Sequence, residues 1–168
     1  ALLCPARAQD VSAPLAKEDT TVKQDTSRWK KLTPEEEHVI VGKGTDSPFT
    51  GEYVDLTAPG LYTCRRCGAV LFRSQDKFHS GSGWPSFDDT VPGAVTRQPD
   101  ADGRRTEIIC TNCGGHLGHV FLGERMTPKS VRNCVNSTAL TFVPEADVRV
   151  GRAYFAGGCF WGVEHLLK

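Results

Sequence analysis

The sequence predicts a mainly β domain with a short N-terminal helix, and three observations support this fold class. From Gly42 onward, the 168-residue chain contains short apolar runs separated by Gly, Pro, Asp and Ser, a pattern typical of antiparallel strands joined by turns. A helix-start signature precedes these runs. Two C-x2-C pairs lie within the β region, as expected where a metal ion holds two turns together.

The predicted helix begins in WKKLTPEEEHVIV. Thr33 is placed to cap it, Pro34 occupies the first helical position, and Glu36 completes a capping box. The predicted strands then follow as EYVDL, GLYTC, AVLF, GAVT, TEIIC, HLGHVFL and CVNSTALTFV. We expect these runs to form antiparallel sheets with Gly- and Pro-rich loops.

The ends of the chain differ in composition from this domain. Residues 1–8 resemble the remnant of a signal peptide with an A-x-A-like cleavage site, which predicts a periplasmic or secreted protein; the alternative is a cytoplasmic protein with a short polar N terminus. Residues 9–27 are polar and predict a flexible linker. The domain is expected over residues 28–144, with a second linker over 145–151.

Charge and hydropathy exclude some classes of partner. Twenty basic and twenty acidic residues cancel, and no basic cluster indicates a nucleic-acid interface or a membrane-surface helix. No apolar run approaches the roughly 20 residues that a membrane span requires. We expect a monomer whose partner is small or is a local segment of another protein.

The two cysteine pairs predict one structural zinc ion. Each pair is followed by glycine, and together they supply four thiolates for a closed tetrahedral site. Disulfides and a redox-active C-x2-C pair are the alternatives. The predicted ligands are Cys64, Cys67, Cys110 and Cys113.

Cys134 lies outside these pairs, in VRNCVNST. On a strand, Arg132, Cys134 and Asn136 share one face, and a guanidinium beside a thiol favours the reactive thiolate. The alternative is a small buried core residue. His116 and His119 could supply acid or base chemistry, although on a regular strand they face opposite sides unless Gly118 carries a bulge.

Trp84 lies in the glycine-rich segment FHSGSGWPSF, where it either packs into the core or forms the wall of a pocket. With these residues assembled, SGxGWPSF, the two CxxCG pairs, HLGHVF and RxCxNS occur in this order. The set resembles the zinc-containing methionine-R-sulfoxide reductases over about Trp29 to Pro144. The resemblance implies coiled antiparallel sheets, with the zinc held away from the active site.

The resemblance also implies a function and a set of site residues. The function is reduction of methionine-R-sulfoxide in oxidised proteins or peptides through a sulfenic acid, with regeneration by thioredoxin or another thiol, as part of oxidative damage repair. The implied nucleophile is Cys134 and the implied acid is His119. Arg132 and Asn136 flank the nucleophile, and the implied substrate-binding residues are Trp84, His116 and Phe121.

Three positions depart from the family pattern. Ser82 replaces a cysteine that in many relatives resolves the sulfenic acid as a disulfide, so the resolving thiol must come from elsewhere. Gly123 stands where relatives often have an acidic residue, and Glu124 could substitute one place later. Asn133 replaces a tyrosine that would face away from the thiol.

The C-terminal segment GGCFWG resembles the nucleophile motif of methionine-S-sulfoxide reductases, with the nucleophile at Cys159. Residues 152–168 would then be the truncated start of a second reductase domain, inactive on its own. Two other functions for the whole chain are a zinc-ribbon binding module, which would show no turnover, and a cysteine hydrolase that uses Cys134, a histidine and Asn136.

Overall fold

The predicted helix is present in the computed structural model, which describes residues 26–148. Helix α1 spans Pro34–Ile40. The Glu36 N–H donates to the Thr33 hydroxyl at 3.2 Å, and the Thr33 N–H donates to the Glu36 carboxylate at 2.8 Å. This confirms the predicted capping box. At the other end, Val39 and Ile40 are buried and attach the helix to the core.

Nine strands form two antiparallel sheets in the described part of the chain. The smaller sheet has the order β2-β1-β9 and the larger has the order β3-β4-β8-β7-β6-β5. The mainly β fold class is therefore confirmed. The strands are β1 (Gly60–Cys64), β2 (Val70–Arg73), β3 (Lys77–Phe78), β4 (Ser86–Phe87), β5 (Val95–Pro99), β6 (Thr106–Cys110), β7 (His116–Leu122), β8 (Val131–Val135) and β9 (Leu140–Pro144).

Two strand predictions were wrong in detail. The run EYVDL forms turns and bends, because Tyr53 and Val54 are buried from a loop and the Tyr53 N–H donates to the Ser137 hydroxyl at 3.3 Å. The run CVNSTALTFV splits into β8 and β9 around the 3₁₀ turn Ser137–Ala139. The chain must turn there because the two strands belong to different sheets.

The core lies between the two sheets. The rings of Phe72 on the smaller sheet and Phe87 on the larger one stack with centroids 4.4 Å apart. Tyr62 meets Phe87 edge-on at 5.0 Å. All three residues are fully buried, together with Ile108 and Leu117. Their close packing gives rigid support to the strand that carries Cys134.

The ends of the described segment also pack against the domain. The Arg66 guanidinium lies 4.2 Å from the centre of the Trp29 ring, and the Glu145 N–H donates to the Pro59 carbonyl at 3.0 Å. No helix in residues 26–148 is long and apolar enough to cross a membrane. The predicted signal remnant, most of the first linker and the segment with Cys159 lie outside the described residues.

Candidate functional site

The two C-x2-C pairs form matching turns that bring four sulfur atoms together. In the first, the Gly68 N–H donates to the Cys64 carbonyl at 2.8 Å, and in the second the Gly114 N–H donates to the Cys110 carbonyl at 2.8 Å. Both glycines have positive φ, 76° and 68°, which a residue with a side chain rarely adopts. The two turns end β1 and β6, so the cluster joins the smaller sheet to the larger one.

The four sulfur atoms fit a tetrahedral metal ion. They all lie within 4.8 Å of one another, and the Cys64–Cys113 and Cys67–Cys110 sulfur pairs are each 3.6 Å apart. Bonds of about 2.3 Å to zinc require sulfur atoms about 3.8 Å apart. Four negative charges this close to one another repel strongly, so four thiolates can coexist here only with a cation. The predicted metal cluster is confirmed.

Cys134 lies on β8, between β4 and β7 in the larger sheet. It is paired directly with Ser86 on one side and with His119 on the other. Side chains that face each other across an antiparallel pair lie on the same side of the sheet. The histidine favoured from the sequence is therefore the one beside the cysteine.

A bulge at Gly118 brings both histidines to the same side. The β6–β7 register shifts between Ile108, which pairs with Gly118, and Ile109, which pairs with His116. Gly118 has φ 150°, and a Cβ there would collide with the Cys134 carbonyl oxygen. The bulge leaves the two imidazole rings 5.5 Å apart in an edge-to-face arrangement, so the regular alternation that separates them on a strand does not apply here.

A carboxylate holds His119. Its Nε2 lies 2.8 Å from the Asp100 carboxylate, and the Arg105 guanidinium donates to the same oxygen at 2.9 Å. The hydrogen bond from His119 is the main cause that lowers the pKa of Asp100. Because Nε2 is engaged, Nδ1 is the ring nitrogen left for chemistry beside Cys134.

A second carboxylate holds His116. The His116 Nδ1 lies 2.7 Å from one Glu107 oxygen, while Lys43 and Gln98 each donate to the other oxygen at 2.8 Å. Glu107 is fully buried, and although burial acts in the opposite direction, these hydrogen bonds lower its pKa to about 2. Burial lowers the pKa of His116. His116 is thus a neutral, buried residue bonded to an anion.

Arg132 lies two residues before Cys134 on β8, and its charge is shared with a neighbouring acid. The guanidinium makes two hydrogen bonds to Glu124, at 2.6 and 2.9 Å, and lies 4.3 Å from the centre of the Phe121 ring. Burial raises the pKa of the Cys134 thiol, while Arg132 and a hydrogen bond from Ser82 oppose that rise without cancelling it. Arg132 therefore favours the thiolate as expected, but burial has the larger effect and the pKa of Cys134 is raised.

Five of the seven site residues predicted from the sequence line one cleft of about 140 Å³, together with four residues that were not predicted as site residues. Arg132 and His116 do not line this cleft. Trp84 forms part of its wall, and the Trp84 indole N–H donates to the Asp46 carbonyl at 2.9 Å. The Asn136 carboxamide accepts from the Asp46 N–H at 3.0 Å and donates to the Leu117 carbonyl at 3.3 Å. The cleft is lined by Thr45, Trp84, Arg105, Gly118, His119, Phe121, Cys134, Val135 and Asn136.

Sequence reasoning missed the carboxylates behind the histidines. Asp100 lies in a polar turn between β5 and β6, and Glu107 occupies an inward position of a strand. An acidic residue inside TEIIC is the one signal that could have been noticed, since a buried carboxylate requires partners. Those partners come from separate segments, and no spacing rule connects them.

The fold and the site define a class: a mainly β protein with a four-cysteine metal site and a separate cleft in which a cysteine faces a carboxylate-bound histidine. The SelR domain matches residues 32–144. The chain belongs to the SelR domain family. None of the four metal-site cysteines lines the cleft, so the two sites are distinct.

Relatives with similar sequences are named peptide methionine sulfoxide reductases. Peptide methionine sulfoxide reductase B2, chloroplastic, from Arabidopsis thaliana is 51% identical over 127 residues, 74% of this chain and 63% of that protein. B3, chloroplastic, from Oryza sativa subsp. japonica is 50% identical over 129 residues, 76% of this chain and 56% of that protein. This chain thus spans less than two thirds of either. B5 from the same rice is 49% identical over 129 residues, 75% of this chain and 95% of that protein.

Proposed function

We propose that this chain is a peptide-methionine (R)-S-oxide reductase, which reduces the R epimer of methionine sulfoxide in proteins or peptides. The observation that carries the proposal is the direct pairing of Cys134 with His119 inside a cleft walled by Trp84. Family membership supports the same reaction. The relatives are named peptide methionine sulfoxide reductases, which supports peptide methionine sulfoxide as the substrate class.

In the proposed reaction, the Cys134 thiolate attacks the electrophilic sulfur of the sulfoxide. This attack forms an S–S bond, and the S–O bond breaks as the oxygen is protonated and leaves as water. Water then attacks the Cys134 sulfur of the resulting sulfonium, the S–S bond breaks, methionine leaves with the bonding pair, and Cys134 becomes a sulfenic acid with release of a proton. His119 supplies a proton from Nδ1, because Nε2 is held by its hydrogen bond with Asp100. Arg132 stabilises the thiolate, with Glu124 holding the guanidinium in place.

The remaining residues of the cleft position the substrate. Trp84 and Phe121 offer apolar surface to the methyl and methylene groups of the methionine side chain. His116 does not line the cleft; its ring packs edge-to-face against that of His119 and is held by its hydrogen bond with Glu107. Both ends of the Asn136 amide are bonded to backbone, which favours a positioning role over direct contact with the sulfoxide oxygen.

The four-cysteine cluster is proposed to hold one structural zinc ion. Cys64 and Cys67 from one turn, and Cys110 and Cys113 from the other, provide the thiolate set that zinc prefers. A zinc ion bound there supplies no redox chemistry. These residues hold the two sheets together.

Regeneration of Cys134 is proposed to use an external thiol, either a small molecule or a thioredoxin-like protein. Ser82 stands on the glycine-rich loop at the position where the family resemblance implies a resolving cysteine, and a hydroxyl cannot resolve a sulfenic acid as a disulfide. Export of the protein stays a prediction.

The test is an epimer-resolved assay with dithiothreitol and methionine sulfoxide in a peptide. The wild-type chain should reduce only the R epimer, and the Cys134→Ser variant should lose turnover while it keeps its zinc content and circular dichroism spectrum. Turnover that survives this substitution would overturn the proposal. An esterase or peptidase burst in place of sulfoxide reduction would favour the cysteine hydrolase instead.

A further inference from the structure

Asp46 does not line the cleft, but its backbone makes hydrogen bonds to two residues that do. The Asp46 carbonyl accepts from the Trp84 indole N–H at 2.9 Å, and the Asp46 N–H donates to the Asn136 carboxamide oxygen at 3.0 Å. Trp84 belongs to the glycine-rich loop, whereas Asn136 directly follows β8. Asp46 therefore joins two walls of the cleft that come from separate segments of the chain.

The Asp46 side chain fixes the position of these two backbone groups. Its carboxylate accepts a hydrogen bond from the Thr138 N–H at 3.0 Å. Thr138 lies in the 3₁₀ turn Ser137–Ala139, between β8 and β9, and the neighbouring Ala139 is fully buried. The carboxylate thus ties the Asp46 backbone to a part of the domain that is packed into the core.

The segment around this residue, 44–49, is also held at both of its ends. At the start of the segment, the Gly44 N–H donates to the carbonyl of His38 in helix α1 at 3.0 Å, and at its end the Phe49 N–H donates to the Gly83 carbonyl at 2.8 Å. The segment forms neither helix nor strand. Its position along the cleft therefore depends on individual hydrogen bonds and not on a ladder.

The two bonds from the Asp46 backbone each select one orientation of a side chain. The Trp84 ring has a single hydrogen-bond donor, the indole N–H, so its bond to the Asp46 carbonyl fixes which way the ring plane lies. The Asn136 carboxamide has an oxygen end and an NH2 end. The Asp46 N–H selects the oxygen end, because an NH2 group in the same place would set one donor against another.

We propose that Asp46 is a positioning residue for the reduction, which holds the Trp84 indole and the Asn136 carboxamide in the orientations that shape the cleft for the methionine sulfoxide side chain. This inference rests on the proposed function of the cleft. Without the carboxylate, the backbone of residue 46 is free to shift, and both walls lose a fixed partner. Cys134 and His119 keep their pairing, which depends on the register between β7 and β8. Loss of the carboxylate therefore weakens substrate binding more than it slows the chemistry.

The first test is steady-state kinetics of the zinc-loaded full chain, with a peptide that carries methionine-R-sulfoxide and with dithiothreitol as the reductant. Asp46→Ala should raise KM about fivefold, the effect expected for one lost hydrogen bond, and should leave kcat within about twofold of wild type. Asp46→Asn keeps an oxygen that can accept from the Thr138 N–H and should restore the wild-type KM. Ser47→Ala, at an exposed serine of the same segment, is the matched control.

The second test observes Trp84 without turnover, by fluorine NMR of the chain labelled with fluorotryptophan. The chain has three tryptophans, and Trp84→Phe and Trp29→Phe each remove one resonance and thereby assign it. Asp46→Ala should shift or broaden the Trp84 resonance. The Trp29 resonance should stay in place and report that the domain is folded, because this ring packs against Arg66. If Asp46→Ala does not fold, Asp46→Ser makes the same comparison, since its hydroxyl reaches one bond less far than the carboxylate.

An unchanged KM or an unchanged Trp84 resonance in the folded Asp46→Ala variant would overturn the role of Asp46. A fall in kcat larger than the rise in KM would also overturn it, as would an Asp46→Asn variant that behaves like Asp46→Ala. A wild-type chain that reduces no sulfoxide would overturn the proposed function instead. The NMR comparison would still decide whether Asp46 positions the Trp84 ring, so the two failures are distinguishable.

Discussion

Replacement of Glu107 by Gln should destabilise the folded domain by about 3 kcal/mol. The carboxylate is fully buried and accepts hydrogen bonds from His116, Lys43 and Gln98. These bonds lower its pKa from 4.5 to about 2, which at about 1.4 kcal/mol per pKa unit corresponds to about 3 kcal/mol. Glutamine keeps the shape but has one acceptor oxygen and no charge.

The assay is urea unfolding at pH 7 with zinc present, followed by circular dichroism. Glu145→Gln, at an exposed acid, is the matched control and should stay within about 0.5 kcal/mol of wild type. The folded-state pKa of Glu107 is depressed, so its contribution is present above pH 4.5 and is lost as the pH falls from 4.5 through about 2. The difference between variant and wild type should therefore be the same at pH 7 and pH 5.5. A loss below about 0.5 kcal/mol would refute the reasoning, because it would mean that the three donors are equally well solvated without the anion.

Three further substitutions test other parts of the structure. Gly118→Ala should lower the free energy of unfolding by more than about 2 kcal/mol, because a Cβ collides with the Cys134 carbonyl at a positive φ; a melt like that of wild type would contradict the bulge. Cys113→Ser should release the metal into a colorimetric chelator and lower the melting temperature, whereas an unchanged metal stoichiometry would rule out four-thiolate binding. Asp100→Asn should lower kcat about tenfold and change its pH profile with little effect on KM, as expected when an acid loses its orienting partner; an unchanged profile would remove Asp100 from the mechanism.

Local features of the fold could be predicted from the sequence, whereas long-range features could not. The capping box depends on Thr33, Pro34 and Glu36 alone, and the helix begins where those residues predict. The metal cluster depends on two short turns of the same form. In contrast, EYVDL has a strand-like composition but forms turns and bends. Its apolar residues Tyr53 and Val54 are buried there without pairing to another strand.

The candidate site also combines local features that the sequence predicts with long-range features that it does not predict. Cys134 and its flanking Arg132 share a strand, so their proximity follows from alternation. The pairing of Cys134 with His119 depends on the register between two strands. The proximity of His116 depends on the bulge at Gly118, and the sequence was equally compatible with a regular strand. Asp100 could not be predicted, because its partner is fixed only when β6 has paired with β7.

The pairing of β1 with β9 has a consequence for synthesis of the protein on the ribosome. Gly60 lies opposite Pro144 in the strand register, so the smaller sheet joins the first and last strands of the described domain. Sheets that depend on contacts between distant residues form slowly. The edge of β1 that pairs with β9 must remain unpaired until β9 leaves the exit tunnel, and during that interval the nascent chain depends on chaperones or on its own solubility to avoid aggregation.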